Sequence, residues 1–252
     1  MASYQFILPA LALVLGILTS MYFLVEWLRH RGGRHFLPLW ALALFMMYWY
    51  QVPAAIVGLG HTITVTDFNF FFALTFPVTF LALMLVFVGI IDIFEYKIGK
   101  KSKAMLLIWF LSAIAFFSYY FITREGIIDT YLLPLGGNMI FYLPMRALII
   151  LVIWKRLSGA ANRNLYMTIG SVLIVMESIL GIIRNSLVIE NILIWPPQFW
   201  YAVLSSSKFF FVTQSLSIIL FVAGFYLLHI AYYRTRDHIG DVKTPHIAGK
   251  IE

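Results

Sequence analysis

Four ionisable residues stand inside otherwise apolar stretches of this 252-residue chain: Arg146, Glu177, Arg184 and Lys208. A guanidinium or ammonium group attracts carboxylates and other anions, and a carboxylate set among such groups neutralises part of their charge. Charges are costly to hold in hydrocarbon and usually face the interior of a helical bundle, so each of the four is a candidate site residue. The chemistry they point to is a cationic pocket, open toward the outer leaflet, in which Glu177 offsets some of the charge and an anionic or strongly polar ligand supplies the rest. The competing expectation is an internal ion-pair network that fixes helix registry, with Glu177 paired to Arg146 or Lys208 and Arg184 reaching the outer interface or Glu190.

Helical spacing sharpens both alternatives. Glu177, Gly181 and Arg184 fall on one stripe of a helix, because residues three, four and seven apart share a face. Ser205, Lys208 and Ser215 share one side of the last apolar segment, while Ser206, Thr213 and Ser217 share another, which predicts a helix buried on two faces. Counted at 1.5 Å per residue from the expected membrane entries, Arg146 lies ~12 to 16 Å deep, Lys208 ~16 Å, and Glu177 ~18 Å from the opposite side. All three are thus expected near the midplane on consecutive helices. Pro144, just before Arg146, has no N–H for the helical ladder and is expected to open the backbone there. The ligand-contacting set proposed on this basis is Arg146, Glu177, Arg184, Lys208, Ser205 and Ser215.

The elements that position these residues follow from composition. The chain is 62% hydrophobic and 12% charged, with a mean hydropathy of +0.90, far from an ordinary soluble domain. Apolar runs near 5–28, 36–59, 69–94, 104–122, 137–154, 165–187 and 199–233 fit a hydrocarbon core of about 30 Å. The fold class is therefore an all-α membrane protein of seven transmembrane helices, a bundle over 1–234 with a short tail over 235–252. The first run lacks a basic leader and continues to Val25, so it is expected to be a retained helix and not a signal peptide.

Basic residues orient the bundle. Arg29, Arg31 and Arg34, then Lys97, Lys100, Lys101 and Lys103, then Lys155, Arg156 and Arg163 lie in alternate connections, and Arg234, Arg236, Lys243 and Lys250 follow the last span. The remaining connections hold Arg124 against Asp67, Glu125, Asp129 and Glu190. The positive-inside rule puts the amino terminus outside and the tail in the cytoplasm. Trp195, Phe199, Trp200 and Tyr201 at one interface, and Trp27, Tyr96, Trp154, Tyr232 and Tyr233 at the other, are expected anchors. Asp92 and Glu26, beside basic loops, are expected to pair with Arg29 and Lys97. The net charge of +7 follows from this topology, and nucleic acid is not an expected partner.

Several chemistries are disfavoured. There is no Cys, so disulfides, iron–sulfur clusters and thiol nucleophiles are excluded. Of the six His residues, His61 and His229 fall on opposite sides and cannot share one haem, while a cytoplasmic group of His30, His35 and His229 is better explained as interfacial histidines. No HExxH, GxSxG, P-loop or paired-carboxylate pattern occurs. The expectation is a non-enzymatic protein with no metal and no catalytic residues.

Two resemblances add to this. The seven-helix layout, the Arg-rich turn with Gly32 and Gly33, the Trp-containing second span and the Phe–Pro centre of the third resemble the seven-helix input modules of bacterial sensor proteins, which implies a bacterial or archaeal cytoplasmic membrane. Such sensors continue into a signalling domain, whereas this sequence runs only about 18 residues past the seventh span, so output is expected to pass through a separate partner. Thr75-Phe76-Pro77 and the approach Val203 to Lys208 resemble microbial rhodopsins, which implies retinal on Lys208. The pattern departs from that family at Phe71 and Phe68, where a counterion and an arginine would stand, and in a sixth span without the flanking Trp and Tyr. A protonated Schiff base without a carboxylate partner would lose its proton readily in an apolar site.

The leading expectation is a protein acting by association, as a subunit of a larger membrane complex or as a receptor-like sensing module. The alternatives are a transporter or channel using Arg146, Glu177 and Lys208, and a retinal protein. Transport lacks its usual pointers, since no internal repeat and no matching pair of broken helices occurs.

Overall fold

A computed structural model describes residues 4–29, 35–47, 65–123, 136–159, 164–194 and 208–241. Among these residues the chain forms seven helices and no strand: α1 (Tyr4–Arg29), α2 (Phe36–Met47), α3 (Val65–Ile93), α4 (Lys100–Thr123), α5 (Leu143–Gly159), α6 (Leu165–Ile194) and α7 (Lys208–Asp241). Five of them, α1, α4, α5 with the turn before it, α6 and α7, are long and apolar enough to cross a membrane. Phe36–Met47 in α2 and Pro77–Ile93 in α3 are shorter apolar stretches among the described residues. The expected second span continues over 48–59 and the seventh begins at 199, and those parts lie outside the described residues. Helix α7 runs on to Asp241, past the expected boundary of the tail at 234.

Helix packing closes a ring. Helix α1 packs on α2 and α7, α2 on α3, α3 on α5, α5 on α6, and α6 on α7 in the most extensive contact of all. Helix α4 joins from outside, chiefly on α3. Met105, Leu107, Ile108, Leu111 and Ile114 remain exposed along it, as suits a helix whose solvent is lipid.

Helix α6 displays the same logic residue by residue. From Leu165 to Ile183 its outward positions, Leu165, Ile169, Val172, Met176, Ile179 and Ile183, are exposed and all apolar, at alternating spacings of four and three, before Ser186 and Glu190 continue the stripe. Its buried positions include Gly170, Ser171, Glu177, Ser178, Gly181, Arg184 and Asn185. That is the reverse of a water-soluble amphipathic helix. Asn164 starts the helix, its Oδ1 accepting the Tyr166 N–H at 3.0 Å, as an N-cap side chain does.

Trp40 locks the corner where α1, α2, α3 and α7 meet. Fully buried, it stacks on Phe225 of α7 with ring centroids 4.3 Å apart and 8° between planes. Its indole N–H donates to the Val86 carbonyl of α3 at 3.4 Å, and its ring lies over Gly89, where an added Cβ would stand 2.3 Å from Nε1. Nearby, the Phe36 N–H donates to Asp92 Oδ2 at 3.0 Å, so a carboxylate from α3 caps the start of α2, where the helix dipole favours negative charge. Ser20 Oγ donates to the Ala41 carbonyl at 2.7 Å, tying α1 to α2. Helix α3 ends with Glu95 at φ 50°, while the Tyr96 N–H bonds back to the Ile91 carbonyl at 3.0 Å, the 6→1 bond of a Schellman stop.

Gly89→Ala is therefore expected to displace Trp40 and cost about 1–3 kcal/mol. Gly99→Ala, with nothing within 4 Å of its added Cβ, should stay within about 0.5 kcal/mol of the parent. Thermal unfolding in detergent, followed by tryptophan fluorescence, checks the contrast.

Candidate functional site

The candidate site is built by α5, α6 and α7. Before α5 the chain makes a π-helical turn, Gly137–Tyr142, closed by the Leu143 N–H donating to the Asn138 carbonyl. Pro144 explains its position: the proline has no N–H to give, and its ring crowds the carbonyl four residues earlier, so a widened turn relieves both. This re-aims the following turn of α5, which carries Arg146.

Arg146 is 1% exposed and Glu177 0%. Arg146 Nη1 donates to Glu177 Oε1 and Oε2, both at 2.8 Å, and lies 3.5 Å from the Glu177 carbonyl. A charge-assisted contact of this length satisfies much of the desolvation cost of both ions, which neither could bear alone. The guanidinium rests directly on α6 at Gly181, where an added Cβ would fall 2.0 Å from Cζ and 2.4 Å from Nε. Only a glycine lets the planar group approach the helix backbone this closely. Arg146 Nε is buried and has no hydrogen-bond partner.

One turn farther along α6, Arg184 is 5% exposed. Its Nη1 donates to Ser217 Oγ at 3.0 Å and to the Thr213 carbonyl at 3.4 Å. These contacts anchor Arg184 on α7. Gln214 and Ser215 are buried beside these residues in sequence.

Lys208 stands elsewhere. Gly170 meets Gly224 and Leu227, Gly224 meets Ile174, and Arg184 meets Thr213 and Ser217. That antiparallel register puts Glu177 level with about residue 220 of α7 and the Lys208 backbone level with about Ile189, some 18 Å away at 1.5 Å per residue. Depth counted from membrane entries placed the three charges together, but interhelical register separates Lys208 from the other two. Ser205 and the side chains of Lys208, Phe68 and Phe71 lie outside what is described. Glu177, committed to Arg146, does not stand level with Lys208 as a Schiff-base counterion would have to.

Three features escaped the sequence. Glu26 accepts from Tyr233 Oη at 2.5 Å, while Asp92 caps α2. His229, 2% exposed, is enclosed by the rings of Tyr22, Phe23, Phe36 and Tyr233, with Tyr22 Oη 3.4 Å from Nε2. It is thus a core residue and not an interfacial one. Among the described residues no group of three or more His, Cys, Asp or Glu is placed to hold a metal ion.

Seven described helices, five of them able to cross a bilayer, with apolar residues outward and Arg146, Glu177 and Arg184 inward, define an all-helical membrane protein. Comparison with protein-family models, curated proteins and solved structures produced no match.

A coupling measurement tests the geometry of the pair. Glu177→Gln should cost about 3–5 kcal/mol by stranding a buried guanidinium, and Arg146→Met/Glu177→Leu should recover most of it. Gly181→Ala should cost more than about 1 kcal/mol in the parent and under about 0.5 in the double variant, since the three atoms nearest the added methyl all belong to Arg146. Equal costs in both backgrounds would contradict the seat assigned to Gly181.

Proposed function

We propose that this chain is a non-enzymatic integral membrane protein of seven spans, amino terminus outside, that works by association and senses a small polar or anionic ligand in the seam between α5, α6 and α7. One observation carries the reading: Arg146 and Arg184, both buried, each join α6 to a different neighbour, Arg146 through Glu177 and Gly181, Arg184 through Thr213 and Ser217. An acceptor-rich ligand competing for either guanidinium changes how α6 sits against α5 or α7. A shift of helices at such an interface is an ordinary way for a binding event to reach a partner subunit. In this reading output passes to a separate chain, whether the protein is a receptor-like module or a permanent subunit of a membrane complex.

Ligand binding is tested by thermal shift against small carboxylates, phosphate and neutral polyols. A true ligand at 100 times its Kd adds about 2.7 kcal/mol to stability, and Arg184→Ala should abolish that gain. A panel with no stabilising compound removes the ligand from this reading. Liposome flux lost in Arg146→Ala would replace sensing with transport, and a visible band on adding retinal, absent in Lys208→Ala, would replace it with a retinal protein.

Topology has its own test, clean because the chain contains no Cys. In intact cells Thr62→Cys should react with a membrane-impermeant maleimide and Gly99→Cys should not. The opposite pattern inverts the orientation.

A further inference from the structure

Ser171, Ser178 and Asn185 follow one another at intervals of seven along α6, so they occupy one face, displaced by only about 20° per step. Each is buried, and each has a buried polar atom with no hydrogen-bond partner: Ser171 Oγ, Ser178 Oγ and Asn185 Nδ2. An orphan of this kind costs about 1–3 kcal/mol, and in a bilayer no bulk solvent is at hand to relieve it. Three in a row on one face mark a continuous feature and not an isolated packing defect.

Two further orphans point into the same region. Gly181, three residues past Ser178 and four before Asn185, is where the Arg146 guanidinium lies, and Arg146 Nε there has no partner. On α7, Gln214 Oε1 is buried and unpartnered as well. The α6–α7 register sets Gln214 level with about residue 183, beside Asn185. Asn185 Nδ2 is an unpartnered donor and Gln214 Oε1 an unpartnered acceptor at about one level on adjoining helices, and a water between two such groups serves both.

We infer that a file of water molecules runs along α6 past Ser171, Ser178 and Asn185, hydrating the Arg146–Glu177 pair from the side that Glu177 leaves open. The file covers ~21 Å at 1.5 Å per residue, most of the thickness of a hydrocarbon core of about 30 Å. Buried water typically makes about three hydrogen bonds to groups that would otherwise lack them, and the five orphans supply donors and acceptors of both kinds. Its consequence is solvent access: water reaches Glu177 and Arg146 through the seam. The inference rests on the proposed membrane bundle but not on its having a ligand, so failure of the thermal-shift panel leaves it standing.

Two measurements test it. In proteoliposomes whose orientation the Gly99→Cys variant has verified, Ser171→Cys and Ser178→Cys should react with the small permeant reagent methanethiosulfonate ethylammonium at least ten times faster than Ile179→Cys, which faces outward. Only water-bathed thiols ionise to the reactive thiolate. The unsubstituted protein supplies the second measurement, because Gly170–Ser171, Glu177–Ser178 and Val175–Met176 are each the single occurrence of that dipeptide. Paired carbonyl-13C and amide-15N labelling therefore isolates three amides. Water-edited solid-state NMR should show rapid transfer from water to the Ser171 and Ser178 amides and slow transfer to Met176. Transfer to both serines as slow as to Met176 overturns the inference, even if a cysteine variant fails to fold.

Discussion

The arrangement of α5, α6 and α7 depends on one contact, the Arg146 guanidinium laid on Gly181 and paired with Glu177. Neither ion is tolerable alone in hydrocarbon, where an uncompensated charge costs several kcal/mol. Two nearly fully buried partners at 2.8 Å meet that cost together, and only at one rotation and one height of α5 against α6. A residue larger than glycine at 181 would keep the guanidinium away from the backbone, and a different turn before α5 would aim Arg146 elsewhere. The π turn, Pro144, Gly181 and the ion pair therefore form a single device. Its value lies in registry, since lipid provides little hydrophobic drive to choose among helix rotations.

The opposite corner of the bundle solves the same problem without charge. Trp40 has α3 backbone against one face, Phe225 against the other and Phe23 at a tilt. Tyr22, Phe36, His229, Tyr232 and Tyr233 continue the aromatic packing toward the ends of α1 and α7. Large rigid rings gain dispersion energy over wide areas and settle in few geometries, so this end is specified by shape. The seam of α5–α7 is specified by polarity. A polar contact is exchangeable with water or a ligand in a way that a stacked indole is not, which assigns adaptability to the seam and rigidity to the aromatic corner.

Much of this could be read from residue order, for identifiable reasons. Hydropathy finds helices that must satisfy their own backbone in lipid, and a seven-residue interval is enough to put Glu177 and Arg184 on one side of α6. What needs interhelical register stayed hidden. Lys208 looked like a neighbour of Glu177 because each was measured from its own membrane surface, whereas the Gly170–Gly224 contact slides the helices to a different match. Asp92 and Glu26 stand beside loop cations in the sequence, and nothing there points to the helix amide and the tyrosine of distant segments that they bind. Gly89 under Trp40 carries no local signal at all, since a glycine in a transmembrane segment is common and its tenant comes from another helix.

Helix α6 finally shows why the ion pair and the unpartnered serines belong to one account. The Arg146–Glu177 pair leaves further donors and lone pairs to satisfy, Arg146 Nε among them, and apolar surroundings could not satisfy them. The actual neighbours are Ser178 and Asn185, one turn to either side of Gly181, with Ser171 farther along. Three small polar residues on the buried face, opposite an unbroken apolar stripe from Leu165 to Ile183, lower the stability of a purely structural helix. That pattern is consistent with an interior kept polar for access by water or solute. The same cations that hold the helices in place stand within that polar interior.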